Sequence, residues 1–253
     1  MKYYVVSDIH GFYEPLTCAL KANGFFEDTE PHKLIVCGDM LDRGGEARKI
    51  QDFMMELLHK DELIFIRGNH EDLMVDMLDN FYEHYNYICC GISHHVQNGT
   101  FDTASQLAQI WLTDPEKFIY KVKSSDFYKT LLPASLNYYE TDNYIFVHGW
   151  IPCIKDKGTY VYDPDWRTAH TSSWQKARWL NGMHISEDRK VFEPGKIIVC
   201  GHWHTSFGHC KFEHKGSEFG EDADFSPFYG ENIIALDACT AYSGVTNCVI
   251  IND

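Results

Sequence analysis

Residues 34–44 read LIVCGDMLDRG, an apolar run followed directly by carboxylates, an arginine and glycines. A run of about four residues rich in Val and Ile is typical of a strand buried on both faces. Asp and Gly are poor strand formers, so we expect the strand to end at Cys37 and the polar residues to follow it in a loop. Carboxylates in such a loop are good metal ligands, which makes Asp39 a candidate functional residue.

The same order of apolar run and polar loop recurs at four other places. The loops are SDIHG at residues 7–11, RGNHE at 67–71, HG at 148–149 and GHWH at 201–204. In open α/β sheets, ligands bind outside the carboxyl ends of the strands, so we expect the five loops to converge on one crevice. The predicted strands are Tyr3–Val6, Leu34–Cys37, Leu63–Ile66, Tyr144–Val147, Ile197–Cys200, Ile233–Leu236 and Cys248–Ile251.

Helical periodicity separates several of the predicted strands. In Glu46–Lys60, apolar residues recur at i, i+3, i+4, i+7 and i+8, which predicts a helix with one buried stripe. Strands that alternate with helices indicate an α/β protein. The chain length is compatible with one large domain, and we expect residues 1–253 to form a single domain.

Two stretches interrupt the alternation. Residues 79–142 carry many aromatic side chains and predict a helical insertion, with helices at Thr103–Leu112 and near Phe127–Leu132. Residues 205–232 are rich in glycine, acidic and aromatic residues without a clear period. A stretch of that length without periodicity predicts a lid-like loop.

The composition argues against several classes of protein. The 22 Lys plus Arg and 37 Asp plus Glu give a net charge of −15, which argues against broad binding to nucleic-acid backbones. No segment approaches the roughly 18 apolar residues of a membrane span, and the first residues lack the apolar region of a signal peptide. The nine cysteines are scattered and never spaced as CxxC, so we expect free thiols in a reducing, cytoplasmic compartment.

The five loops together contain two aspartates, one asparagine and four histidines that are potential metal ligands. These residues are Asp8, His10, Asp39, Asn69, His148, His202 and His204. Mixed nitrogen and oxygen donors favour Mn, Fe or Zn over Ca or Mg. Seven ligands exceed the three or four of a single zinc site, and two metals that share a carboxylate account for the number.

In order along the chain, the loops contain the patterns DxH, GDxxDR, GNHE, a lone His and GHxH. In these patterns the chain resembles the calcineurin-like metallophosphoesterase superfamily, and within it the bacterial branch of serine/threonine phosphatases and diadenosine tetraphosphatases. The resemblance implies a β-sandwich of two mixed sheets flanked by helices. The last pattern has two histidines where that branch usually has Gly-His-Thr.

The resemblance also implies roles for individual residues. The first metal would be held by Asp8, His10 and His204, the second by Asn69, His148 and His202, with Asp39 bridging. The metals implied are two divalent ions, Mn first, with Fe or Zn as alternatives. His70 corresponds to the general acid and Asp42 to the carboxylate that orients it. The phosphate-binding positions are Arg43, Arg67, Asn98 and Arg178.

The expected function is metal-dependent hydrolysis of a phosphomonoester, of the serine/threonine phosphatase type, with a phosphoprotein or a small phosphoester as substrate. The alternative is a dinucleoside polyphosphate hydrolase or a phosphodiesterase, because the motifs are shared and specificity would lie in residues 79–142 and 205–232. A metal-bound module that only binds phosphoproteins is a further hypothesis. Loss of turnover normally removes a ligand or the acid, and none is missing here. No broad nucleic-acid partner and no membrane partner is expected.

Structural alternatives exist for several of these residues. The alternative to phosphate binding for Arg43 and Arg67 is a structural ion pair with Asp42, Glu71 or Asp72. Histidines outside the motifs, which include His94, His95 and His209, are expected to be solvated or to lie in loops.

Overall fold

The computed structural model describes residues 1–253, and most of its strands belong to two mixed sheets. The strands are β1 (Lys2–Val6), β2 (His32–Cys37), β3 (Leu63–Ile66), β4 (Tyr139–Glu140), β5 (Tyr144–Phe146), β6 (Cys153–Asp156), β7 (Thr159–Tyr162), β8 (Ile197–Cys200), β9 (Phe228–Tyr229), β10 (Ile233–Ala235) and β11 (Val249–Asn252). The first sheet has the order β11-β1-β2-β3, and the second has the order β4-β5-β8-β10-β9. Strands β6 and β7 form a separate hairpin. Strands β1, β2 and β3 are parallel, as are β5, β8 and β10.

Alternate side chains of each central strand enter different cores. On β1, Tyr3 and Val5 pack between the two sheets, whereas Tyr4 and Val6 pack against helices on the outer face. Val199 of β8 enters the core between the sheets from the other side. Because side chains alternate along a strand, fully apolar strands bury both faces and produce layers of helix, sheet, sheet and helix.

Eleven α-helices surround the sheets. They are α1 (Tyr13–Ala22), α2 (Ala47–His59), α3 (Asn69–Asp79), α4 (Phe81–Cys89), α5 (His94–Gln97), α6 (Thr100–Ala108), α7 (Pro115–Lys123), α8 (Leu132–Ala134), α9 (Thr171–Ala177), α10 (Thr205–Phe212) and α11 (Thr240–Ser243). A 3₁₀ turn spans Trp166–Thr168, and π-helical turns span Phe127–Leu131 and His184–Asp188. None of the helices combines the length and the apolar composition needed to cross a bilayer.

The structure confirms the fold class, and all seven predicted runs form strands. Helix α2 buries Ile50, Met54 and Leu57 of its predicted stripe. The helix predicted at Thr103–Leu112 is α6, which begins at Thr100 and ends at Ala108. It ends early because Gln109 adopts a left-handed conformation with φ 56°.

Residues 205–232 differ from the predicted loop, because they begin with α10 and include the short strand β9. The residues that α10 buries are polar or small, among them Thr205, Ser206 and Gly208. A helix that buries polar and small residues has no hydrophobic period, which is why the sequence pattern did not reveal it. Strands β4 and β9 were missed for a related reason, since each has only two residues.

Candidate active site

The polar loops that follow β1, β2, β3, β5 and β8 meet at one side of the two sheets. Backbone hydrogen bonds join neighbouring loops: the N–H of His10 donates to the carbonyl of Asp39 over 3.0 Å, and that of Gly201 donates to His148 over 2.8 Å. The five loops therefore converge as predicted, and they come from both sheets: three follow strands of the first sheet and two follow strands of the second. We call this region the strand-end site.

The backbone of these loops is strained. Twelve residues other than glycine have a positive φ, and six of them lie in the strand-end site, namely Asp8, His10, Asp39, Asp42, Arg43 and His202. Such conformations persist where the surrounding structure enforces them, and they cluster at functional sites. Gly38 also has a positive φ of 83°, and a Cβ there would lie 2.4 Å from Nδ1 of His148. Only glycine fits this close approach.

Asp39 lies at the centre of the strand-end site. Its Oδ2 is 3.8 Å from Nε2 of His10 and 3.8 Å from Nε2 of His70, and its Oδ1 is 3.4 Å from Nε2 of His148. Burial would raise the pKa of Asp39, but the three imidazoles outweigh burial and hold that pKa below its ordinary value. Burial lowers the pKa of both His10 and His148. A charged carboxylate among neutral imidazoles is the protonation state in which these groups bind metals.

The atoms around His148 indicate whether a cation fits into the strand-end site. Nδ1 of His148 is 2.8 Å from the carbonyl of Cys37, so Nδ1 carries the proton and Nε2 carries the lone pair. That Nε2 lies 2.7 Å from Oδ1 of Asn69 and 3.4 Å from Oδ1 of Asp39. Three electron-pair donors point at one another here. The donor set therefore fits a divalent metal ion.

His202 completes this group of donors. Its ligand atom lies within 4.8 Å of those of Asp39 and His148, and its ring is 5.1 Å from that of His148. Burial, followed by the neighbouring His148, lowers the pKa of His202 to about 3. The structure thus brings together five of the seven predicted ligands, which are His10, Asp39, Asn69, His148 and His202.

Asp8 and His204, the other two predicted ligands, face different partners. Oδ2 of Asp8 accepts the backbone N–H of His202 over 2.9 Å. Burial, together with the charges of Asp237 and Asp39, raises the pKa of Asp8 well above its ordinary value. Nε2 of His204 lies 2.8 Å from Oε1 of Glu218, so this ring points towards the segment after α10. A ligand role for His204 stays a prediction.

His70 and Asp42 form a buried pair beside Asp39. Nδ1 of His70 is 2.7 Å from Oδ2 of Asp42. Burial lowers the pKa of His70, but the carboxylates of Asp39 and Asp42 outweigh burial, so the pKa is raised overall. Two residues of α6 support the pair: the Thr100 hydroxyl donates to Oδ2 of Asp42 over 2.6 Å, and the Asp42 N–H donates to the Thr103 hydroxyl over 3.0 Å.

The segment before α6 packs directly on the loop that contains Asp42. Gly99 has φ 83°, and a Cβ there would lie 2.4 Å from the backbone nitrogen of Arg43. The adjacent Asn98 donates from Nδ2 to the carbonyl of His94 over 2.8 Å, so its side chain holds the end of α5. Phosphate binding by Asn98 stays a prediction.

The three predicted phosphate-binding arginines have different partners. Arg43 is exposed, and its Nη2 is 3.4 Å from Nε2 of His70. Nε of Arg67 is 2.7 Å from Oδ1 of Asp72, which is one of the ion pairs considered from the sequence. Nη1 of Arg178 is 2.7 Å from the other oxygen of Asp72, and Nη2 donates to Asn137 over 2.5 Å. Of the three, Arg43 is the arginine without an ion pair to a carboxylate, and Arg67 uses only its Nε for such a pair.

Two buried carboxylates were not assigned roles from the sequence. Glu71 accepts the N–H groups of Gly68, Asp39 and Met40 over 2.7, 3.0 and 3.0 Å, and burial raises its pKa to about 7. Asp237 follows β10, and burial raises its pKa to about 6. The glutamate of the GNHE pattern was a visible signal for the first of these residues.

A cavity of about 450 Å³ opens beside Arg43. Its lining includes Gln106, Gln109 and Trp111, and the side chain of Trp111 is 77% exposed. These residues lie on α6 and in the turn that follows it. An exposed tryptophan at a cavity with polar side chains is a candidate surface for a planar ligand.

Comparison with known proteins gives a family and several relatives. The model of a family described as calcineurin-like phosphoesterase matches residues 1–206. A symmetrical bis(5'-nucleosyl)-tetraphosphatase of Cellvibrio japonicus is 26% identical over 199 residues, which cover 74% of this chain and 63% of that protein. An asymmetrical bis(5'-nucleosyl)-tetraphosphatase of Bacillus velezensis is 26% identical over 141 residues, 52% of each chain. The chain thus matches less than two thirds of the length of both relatives.

Among solved structures, a cold-active protein-tyrosine phosphatase of a psychrophilic Shewanella species has a TM-score of 0.54 with this chain. The match covers 100% of this chain and 75% of that one, at 15% sequence identity. At this identity the likeness shows a shared fold alone, because one fold supports many substrates.

Proposed function

The chain belongs to the calcineurin-like phosphoesterase family, and we propose that it is a metal-dependent hydrolase of dinucleoside polyphosphates. The observation that carries this proposal is the cavity that contains Arg43 and Trp111, next to His70. A volume of about 450 Å³ lies within the range of small-molecule sites. Trp111 would stack on a base, while Arg43 would bind the phosphate next to it.

The choice of substrate also draws on the relatives. Both curated relatives described above are named tetraphosphatases, which favours the dinucleoside polyphosphate over the phosphomonoester expected from the sequence. The bond to be hydrolysed would be a phosphoanhydride, whose leaving group is itself a nucleotide phosphate. Mn as the metal, with Fe or Zn as alternatives, and a cytoplasmic location remain parts of the same proposal.

The metal ions would be held by His10, Asp39, Asn69, His148 and His202, with Asp8 and His204 as further candidates. When bound, divalent ions supply Lewis-acid stabilisation of the phosphoryl oxygens. The neutral imidazoles and the charged Asp39 are ready to bind without prior loss of a proton. The backbone carbonyl of Cys37 orients His148, which fixes the direction of its Nε2.

The remaining residues would act on the phosphate. Arg43 offers forked N–H donors to the phosphoryl oxygens, where negative charge develops in the transition state. His70 would give the proton on Nε2 to the leaving oxygen, while Asp42 accepts its Nδ1–H and keeps the ring oriented. Thr100 holds the Asp42 carboxylate in place for this task.

A substrate panel tests the proposal. Purified protein with Mn²⁺ is incubated with diadenosine tetraphosphate, a phosphoserine peptide or an aryl phosphate, and products are separated by chromatography. We expect the largest kcat/KM with diadenosine tetraphosphate, and a loss of about 10²–10³-fold in Asp39→Asn and His70→Asn. His59→Asn changes an exposed histidine at the end of α2 and serves as the matched control. If the phosphoserine peptide is hydrolysed faster than diadenosine tetraphosphate, the protein is a phosphomonoesterase instead. Turnover that does not depend on metal would reject the hydrolytic mechanism.

A further inference from the structure

Three side chains from three consecutive helices meet in the helical layer. Asp76 lies on α3, His84 on α4 and His95 on α5. Oδ2 of Asp76 is 3.3 Å from Nε2 of His84 and 3.3 Å from Nε2 of His95. The three ligand atoms lie within 4.8 Å of one another, and the two rings are 4.5 Å apart with an interplanar angle of 78°. This group, which we call the Asp76 cluster, directs two nitrogen donors and one oxygen donor to a common point.

His95 is buried without a hydrogen bond. Its exposed fraction is 0%, and neither Nδ1 nor Nε2 has a hydrogen-bond partner. The sequence-based expectation that His95 is solvated is therefore wrong, because the packing of α5 against its neighbours encloses it. Buried polar groups in folded proteins are normally paired. Nε2 of His95 faces the carboxylate of Asp76, and a cation held between them would supply the missing partner.

We propose that the Asp76 cluster binds a zinc ion separate from the strand-end site. Two imidazole nitrogens and one carboxylate oxygen are a donor set of three-ligand zinc sites, in which the fourth position is open to water. A set rich in nitrogen favours zinc over magnesium or calcium. The side chain of Asp76 is 44% exposed, which gives an ion access from solvent. Asn80 donates from Nδ2 to Oδ1 of Asp76 over 2.8 Å and so orients the carboxylate.

The proposed ion would join helices that support the strand-end site. Helix α3 carries His70 in its first turn, about 9 Å along the helix from Asp76. Helix α5 leads through Gly99 to Thr100, whose hydroxyl holds Asp42. Zinc in the Asp76 cluster would therefore stabilise the helical segment that positions the His70–Asp42 pair. This role does not depend on which phosphoester the protein hydrolyses.

Zinc alone is a sufficient probe for this site. Metal-free full-length protein is titrated with Zn²⁺ by calorimetry, and the zinc retained after dialysis is measured by elemental analysis. His94→Gln is the matched control for His95→Gln, because the His94 ring lies 3.8 Å from the His95 ring but is exposed and outside the Asp76 cluster. We expect wild type and His94→Gln to retain one more zinc ion per chain than His95→Gln. We also expect zinc to raise the thermal midpoint of the first two proteins more than that of the third.

Two further variants keep the test decisive. His84→Gln changes a partly exposed ligand, so it reports on the Asp76 cluster even if His95→Gln folds poorly. Asp39→Asn weakens the strand-end site and must leave the zinc of the Asp76 cluster in place. Equal zinc content in wild type, His84→Gln and His95→Gln would overturn the proposal. So would a zinc-induced stabilisation that the Asp39→Asn change removes entirely.

Discussion

The two sides of the strand-end site hold arginines in opposite environments. On the open side, Arg43 is exposed and lines the cavity with Trp111, and its Nη2 is 3.4 Å from His70. On the closed side, Arg178 is 4% exposed, and each of its three guanidinium nitrogens donates to a protein oxygen. Both residues were predicted to bind phosphate. The difference shows that acceptors from elsewhere in the chain decide whether an arginine near a site is free for a ligand.

The largest effect is expected on the closed side. Arg178→Met removes the buried partner of an ion pair and leaves one oxygen of Asp72 and the oxygen of Asn137 without a donor. Because Asp72 keeps its ion pair with Arg67, we expect a cost of about 2–3 kcal/mol of unfolding free energy. We expect a clear fall in the urea midpoint of the metal-free protein. If Arg178 instead binds phosphate, the variant would lose activity without losing stability.

Arg167 provides the matched control for burial. It also pairs with two carboxylates, Glu140 at 2.6 Å and Glu193 at 3.0 Å, but its side chain is 32% exposed. Ion pairs that remain in contact with solvent contribute about 1 kcal/mol or less. Arg167→Met should therefore lower the urea midpoint much less than Arg178→Met. Equal losses would show that burial is not what distinguishes the closed side.

The second effect is expected on the open side. Arg43→Met removes forked donors that face the phosphate position, and we expect kcat/KM to fall about 10²-fold. Unfolding free energy should change by about 0.5 kcal/mol or less, because the side chain is exposed. Steady-state kinetics and urea denaturation of the same preparation check both parts. Unchanged kinetics would remove Arg43 from the phosphate site.

The third effect separates base binding from phosphate binding. Trp111→Ala removes a stacking surface worth about 1–2 kcal/mol, so KM for diadenosine tetraphosphate should rise about tenfold. KM for a phosphoserine peptide should stay constant, since that substrate has no base. Tyr120→Ala removes another exposed aromatic side chain, on α7, and should leave both KM values unchanged. A similar rise for both substrates would mean that Trp111 does not recognise a base.

The smallest effect concerns pH and the exposed ion pair. Hydrogen bonds from Arg167, and then from Lys196, lower the pKa of Glu140 from 4.5 to about 2. A carboxylate with a lowered pKa in the folded state stabilises the protein fully above about pH 4.5, and this contribution is lost as pH falls towards 2. The difference in urea midpoint between wild type and Glu140→Gln should therefore shrink between pH 6 and pH 3.5. A difference that grows in acid would contradict this assignment.

Much of the fold was predictable because the signals are local. Each central strand is a short apolar run that ends at glycine or at a polar residue, and the periodicity of α2 is visible within thirteen residues. The order of the five motifs was sufficient to indicate the family. Helix α10 was not predictable in this way, since it buries Thr205, Ser206 and Gly208 rather than a hydrophobic stripe.

The side-chain partners in the site could not be predicted, because they lie far apart in the sequence. Thr100 holds Asp42 across 58 residues, and Arg178 reaches Asp72 across 106 residues. Neither contact has a periodic or motif signature. The orientation of His204 towards Glu218 is a similar case, since the motif gives the histidine but not the direction of its ring.

The sequence by itself therefore determined the strands, their polar ends, the family and most of the donors around Asp39. These features follow from local preferences, namely burial of apolar runs and the exclusion of Asp, Asn and Gly from strand interiors. Tertiary structure alone decided which arginines pair with Asp72 and which threonines support the His70–Asp42 pair. It also decided that His95 faces Asp76. Those outcomes depend on where distant helices pack, and packing distributes hydrogen-bond acceptors without regard to sequence order.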